Sequence, residues 1–89
     1  MLSIKQAAQS AQKYLVDLFG DVPDIRLEEV DSSSDAWMIT LSFLIDNSAD
    51  EPLVYRAYRT EKIRQYKTFW IDKNTGEVTA MKIRNVQDA

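Results

Sequence analysis

Neither cysteine nor histidine occurs in this chain, and the two absences together remove several classes of chemistry. Disulfide frameworks, Cys/His zinc sites, thiol nucleophiles and imidazole acid–base catalysis all need residues that are not there. Cysteine usage therefore leaves the compartment open. Long apolar runs are also missing: the best stretch, Trp37 to Ile45, is interrupted by Thr40 and Ser42 and falls well short of the ~20 residues that span a bilayer. The first residues, Met1-Leu2-Ser3-Ile4-Lys5-Gln6, lack the unbroken apolar segment of a signal peptide. A cytoplasmic location without a membrane partner is the default expectation.

What is present is ordinary globular composition. The 89 residues are 45% hydrophobic and 28% charged, far from the signature of disorder. With no shift in composition along it, the chain reads as a single domain over residues 1–89. That length lies just above the roughly 70 to 80 residues below which small scaffolds tend to need a disulfide or metal staple.

The net charge of −3 repels nucleic acid and anionic membrane on average, but its distribution is uneven. From Asp17 to Glu51 ten acidic residues face the single Arg26, a balance of −9. From Tyr55 to Lys73 six basic residues face Glu61 and Asp72, a balance of +4.

Ser3 followed by Gln6 forms a capping box, and apolar residues then recur at Ile4, Ala7, Ala8, Ala11, Tyr14, Leu15 and Leu18. This spacing predicts a helix from Ser3 to Phe19, about 25 Å long at ~1.5 Å per residue. Gly20 is placed for a left-handed C′ residue, and Pro23 prevents the helix from resuming. Beyond it the period is that of strands. Ile25 and Leu27 alternate with Arg26 and Glu28 until Glu29-Val30 breaks the phase, as a bulge does. After the polar turn Asp31 to Asp35, one face of a strand carries Trp37, Ile39, Leu41, Phe43 and Ile45, and the other carries Met38, Thr40, Ser42 and Leu44.

Asp46 to Pro52 reads as a polar loop, followed by a long third strand ending in Phe69-Trp70-Ile71. Asp72 to Gly76 reads as a hairpin loop with its glycine at a positive φ. Glu77 to Val86 is the fourth strand, in an ambiguous register because Val78, Met81 and Ile83 do not share one alternation. The fold class is α+β: one N-terminal helix packed on a four-stranded antiparallel meander, order α-β-β-β-β. A second helix would fit only between Leu53 and Tyr66.

The hairpin Tyr66-Lys67-Thr68-Phe69-Trp70-Ile71-Asp72-Lys73-Asn74-Thr75-Gly76-Glu77-Val78 resembles the signature of PepSY-type domains: an aromatic-rich strand, an Asp, a Thr-Gly turn, then Glu-Val. The helix-first order is similar to a cystatin-like arrangement. These resemblances imply a small non-catalytic regulatory module, since PepSY domains are thought to act as inhibitors or chaperone-like partners of peptidases.

Catalysis needs a positioned nucleophile or acid–base pair. The available groups, Ser32 to Ser34, Glu28, Glu29, Asp31 and Asp35, have no evident helper, and Ser and Asp in a turn serve the backbone. No enzyme and no cofactor are expected. Asp31, Asp35, Asp46, Asp50 and Glu51 match no calcium-loop spacing, so no metal ligand is assigned.

Two surfaces remain. Tyr66 and Trp70 fall opposite Phe69 and Ile71, as Met38 and Leu44 fall opposite the core set of their own strand. One helix covers one side of a sheet, so these four form the candidate face for a protein partner or a second copy in a homodimer. The alternative is a nucleic-acid platform in which Arg56, Arg59, Lys62, Arg64 and Lys67 pair phosphates while Tyr55 and Tyr58 stack bases. The acidic net charge and the possibility that these cations answer neighbouring acidic strands disfavour it.

Overall fold

The computed structural model describes residues 1–46 and 62–84, without the side chain of Asp46. Helix α1 spans Ile4–Phe19 and begins at the capping box. The Ser3 Oγ accepts the Gln6 N–H at 3.1 Å, and the Gln6 Oε1 accepts the Ser3 N–H at 2.9 Å. Ala7, Ala11 and Leu15 are fully buried. Two of these three are alanines, which let the helix axis lie close to the sheet. At the far end Gly20 donates to the Val16 carbonyl at 2.8 Å. Its φ of 77° has the expected sign, but ψ is −163°, outside the left-handed helical well and in a region open essentially to glycine alone. The chain thus leaves the helix extended and runs on to the sheet, where Leu44 N–H reaches the Pro23 carbonyl at 3.1 Å.

Four strands follow: β1 Arg26–Ser32, β2 Ala36–Asp46, β3 Lys62–Asp72 and β4 Val78–Arg84. They form one antiparallel sheet in sequence order, which is the expected α+β meander. Lys62 to Tyr66, the end of the segment where a second helix had some support, belongs to β3. The remainder, 53–61, lies outside the described residues, as do the expected loop at 47–52 and the end of the fourth strand at 85–86.

Two bulges settle the phase problems. In β1 the pairing passes from Leu27 opposite Leu41 to Glu29 opposite Thr40, so Glu28 is the extra residue. In β4 it passes from Val78 opposite Ile71 to Ala80 opposite Trp70, so Thr79 is extra. One inserted residue reverses alternation. Val78, Met81 and Ile83 therefore all turn to the helix side although their spacing is irregular.

On that side Ile39, Leu41, Phe43, Phe69 and Ile71 close over Ala7, Ala11 and Leu15 as the core. Tyr14 meets Phe69 edge-on at 6.2 Å, and Phe19 lies 5.9 Å from Phe43. Trp37 packs at the margin of the core, donating its indole N–H to the Leu2 carbonyl at 2.9 Å beneath the Lys73 ammonium at 4.6 Å. The β3–β4 turn holds the same corner. The Asp72 carboxylate accepts the N–H groups of Asn74 and Thr75 at 2.8 and 2.9 Å. Gly76 has the expected positive φ, 77°, and a Cβ there would lie 3.4 Å from Leu2 Cδ1.

Candidate interaction surface

The sheet register places the side chains of the face turned away from α1 in rows. Asp31, Met38, Trp70 and Ala80 form one row; Glu29, Thr40, Thr68 and Lys82 the next; and Arg26, Ser42, Tyr66 and Arg84 a third, with Leu44 beside Arg64 beyond. All four expected anchors, Met38, Leu44, Tyr66 and Trp70, lie on this face, each half-buried. Met38 and Trp70 are direct cross-strand neighbours. Tyr66 and Leu44 are separated from them by the Thr40–Thr68 pair, whose hydroxyls meet at 2.8 Å and are buried. The four anchors are therefore two small apolar groups on either side of a polar centre.

Over that centre runs an ion pair joining the two edges of the sheet: Arg84 of β4 reaches Glu29 of β1 at 2.8 Å. Beside it a hollow of about 220 Å³ is lined by Glu29, Asp31, Met38, Thr40, Thr68, Trp70 and Arg84. The Lys82 ammonium sits 5.2 Å above the Trp70 ring, within the range of a cation–π contact.

The third row holds a network that sequence reasoning missed. The fully buried Ser42 hydroxyl donates to the Glu28 carboxylate at 2.6 Å and accepts from Arg64 at 2.8 Å. Arg64 also donates to the Asp24 carbonyl at 3.1 Å and pairs with the Asp24 carboxylate, which Arg26 engages at 2.8 Å. Asp24 adopts a φ of 56°, a conformation that Asp tolerates better than most residues. Arg26, foremost through its hydrogen bond, and Arg64 hold the Asp24 carboxyl below its ordinary range. Ser42 thus lies between a carboxylate and a guanidinium, yet its burial and double engagement make it a cross-strand tie. The bulge is what makes this possible, because it sets Glu28 and Glu29 side by side on the outer face.

The serines considered for catalysis serve the β1–β2 turn. Ser33 N–H reaches the Ala36 carbonyl at 2.9 Å, and its Oγ accepts the Ala36 N–H at 3.1 Å. The Ser32 hydroxyl accepts from Lys73 at 2.7 Å, while Ser34 donates to Asp35. Among the described residues no group of three or more acidic side chains is placed to hold a metal ion.

The basic segment divides. Arg64 is on the outer face within the Asp24 network, and Lys62 shares that face by its pairing with Asp46. Lys67 is on the helix side, 7% exposed, with its ammonium 5.6 Å from the centre of the Phe19 ring. Tyr55, Arg56, Tyr58 and Arg59 lie outside the described residues. The described cations thus point to both sides of the sheet, where a phosphate-tracking groove would need them on one.

No protein-family model, curated protein or solved structure matches this chain. No helix among the described residues is long and apolar enough to cross a membrane.

Proposed function

We propose that this protein is a non-catalytic, cytoplasmic protein-interaction module whose working surface is the outer face of the sheet, with Trp70 and Met38 as principal anchors and Tyr66 and Leu44 as flanking contacts. The observation that carries this reading is the Met38–Trp70 pair bordering a hollow with both polar and apolar lining on the side of the sheet that α1 leaves open. Aromatic anchors beside a hollow, rimmed by charge, are the composition of interface hot spots. The likeness of the Tyr66 to Val78 hairpin to PepSY-type domains supports a regulatory role for such contacts.

Affinity capture with the wild-type protein and with Trp70→Ala, both checked for folding by circular dichroism, tests the reading. Loss of the captured protein with Trp70→Ala is the expected result. Equal capture by the two would remove the outer face as the working surface.

A further inference from the structure

The outer face is polarised across its strands. The β1 rim carries Glu28, Glu29 and Asp31, while Arg26 on the same strand is taken up by Asp24. The β4 rim carries Lys82 and Arg84. Between them lie the half-buried Met38, Trp70 and Tyr66 and the small Thr40, Thr68 and Ser42. An acidic rim, a mixed centre and a basic rim form a pattern that can be complementary to itself, and only for particular symmetries.

Closed pairs form about two-fold axes, and each placement of the axis brings different rims together. Joining β1 to β1 edge to edge sets acids against acids, and β4 to β4 sets bases against bases. Both edges also carry a bulge, which hinders strand addition. Adding β1 of one copy to β4 of the next matches charges but does not close. Stacking outer faces about an axis across the strands again superimposes like rims. Stacking them about an axis parallel to the strands lays the β1 rim of each copy over the β4 rim of the other. In that arrangement Met38 meets Trp70 of the second copy, Thr40 meets Thr68, the small Ser42 meets the large Tyr66, Glu29 meets Lys82, and Arg84 meets Arg26, whose charge Asp24 answers.

We infer that the occupant of the outer face is a second copy of this chain, stacked sheet on sheet about a two-fold axis parallel to the strands, with Glu28, Glu29 and Asp31 of each copy against Lys82 and Arg84 of the other. This rests on the outer-face reading above and names its partner. The Arg84–Glu29 pair that crosses one sheet in the single chain is exchanged for the same pair between two chains. The footprint is modest: the seven residues of β1 and of β4 at ~3.4 Å by four strands at ~4.8 Å give roughly 460 Å² per copy. Tight complexes bury about 800 Å² per partner, so the dimer is reversible and concentration-dependent.

Sedimentation velocity over a concentration series up to millimolar, at low and high salt, tests this with the wild type, Glu29→Arg, Arg84→Glu and an equimolar mixture of the two variants. The wild type is expected to shift towards dimer mass with concentration, and less so at high salt. Each variant alone sets like charges against each other at the contact between positions 29 and 84, and should self-associate about 10-fold more weakly or not at all. The mixture should recover the dimer, because the two substituted positions then face each other with opposite charges and Arg84 of the first copy still meets Glu29 of the second. Recovery on mixing cannot come from a pair confined to one chain. Asp31→Lys and Lys82→Glu, at exposed positions on the same rims, replace either variant that fails to fold. A wild type that stays monomeric, variants that dimerise as the wild type does, or a mixture that stays monomeric would each overturn the inference. Partner capture sensitive to Trp70→Ala would in that event still uphold the outer face as a surface for another protein.

Discussion

The two sides of one sheet are built from opposite materials. On the helix side, Ile39, Leu41, Phe43, Phe69 and Ile71 are almost entirely removed from water against α1. On the outer side, the same strands also bury Thr40, Ser42 and Thr68, but under neighbouring side chains and with hydroxyls paired to one another, to Glu28 and to Arg64. Among the described residues no buried side-chain polar atom is left without a partner. Burial alone therefore does not identify a core. The helix side gains from apolar area removed from water. The outer side gains only the small net value of satisfied hydrogen bonds and is costly to disrupt in part.

The sharpest way to break that comparison is truncation on each side. Phe69→Ala removes a fully buried ring and is expected to cost about 3–5 kcal/mol in urea denaturation, a large part of a small domain's stability. Trp70→Ala, one residue along and partly exposed, is expected to cost about 1–2 kcal/mol. Equal losses would mean that the outer face is a second core.

A smaller effect separates hydrogen bonding from packing. Thr68→Val leaves the buried Thr40 hydroxyl unpaired and is expected to cost about 1–3 kcal/mol, whereas the double change Thr40→Val with Thr68→Val should restore most of the loss. A double variant as unstable as the sum of the two singles would show that the hydroxyl pair is not the unit of stability.

The smallest expected effect is electrostatic. The carboxyl of Asp24 is lowered by Arg26 and Arg64, and that of Asp72 by the N–H groups of Thr75 and Asn74. A depressed folded-state pKa contributes stability that is present above the ordinary value of 3.8 and lost as pH falls through the depressed one. Denaturation midpoints measured through the acid range should therefore decline below about pH 4. Asp24→Asn and Asp72→Asn should each flatten that decline. Asn tolerates the positive φ at position 24 and can still accept hydrogen bonds at position 72, so the change reads charge alone. An unchanged slope would assign the acid sensitivity to other carboxylates.

Much of the fold was legible because its signals are local. The Ser3/Gln6 box and the alanine-rich stripe identify α1, and alternation from Trp37 to Ile45 identifies the core face of β2. The run Asp72 to Gly76 identifies the last turn. The phase break at Glu29 pointed to a bulge in β1. Its counterpart in β4 was readable only as an irregular spacing of Val78, Met81 and Ile83, because a bulge is defined by the strand opposite. For the candidate site, the side of the sheet taken by Met38, Leu44, Tyr66 and Trp70 followed from alternation within single strands. Their separation by the Thr40–Thr68 pair did not, since it depends on which residue of β3 stands opposite which of β2. The same holds for Ser42, Glu28, Arg64 and Asp24, which meet from across 40 positions of sequence.

By itself, then, the sequence determined the element types, their order and the centre of the helix-side core, though Ile4 and Leu18 of the expected helical stripe are exposed and Trp37 and Ile45 only border the core, because helix caps, turns and period-two alternation act over a few residues. Only the tertiary structure decided how the charges are used. The acidic half of the chain contributes β1 and the last strand carries Lys82 and Arg84, but their placement as opposite rims of one face requires the meander to put β1 and β4 at its two edges. It also requires each bulge to set the phase of its rim. Those are properties of strand pairing, in which the neighbour of a residue is chosen by register and not by its place in the chain.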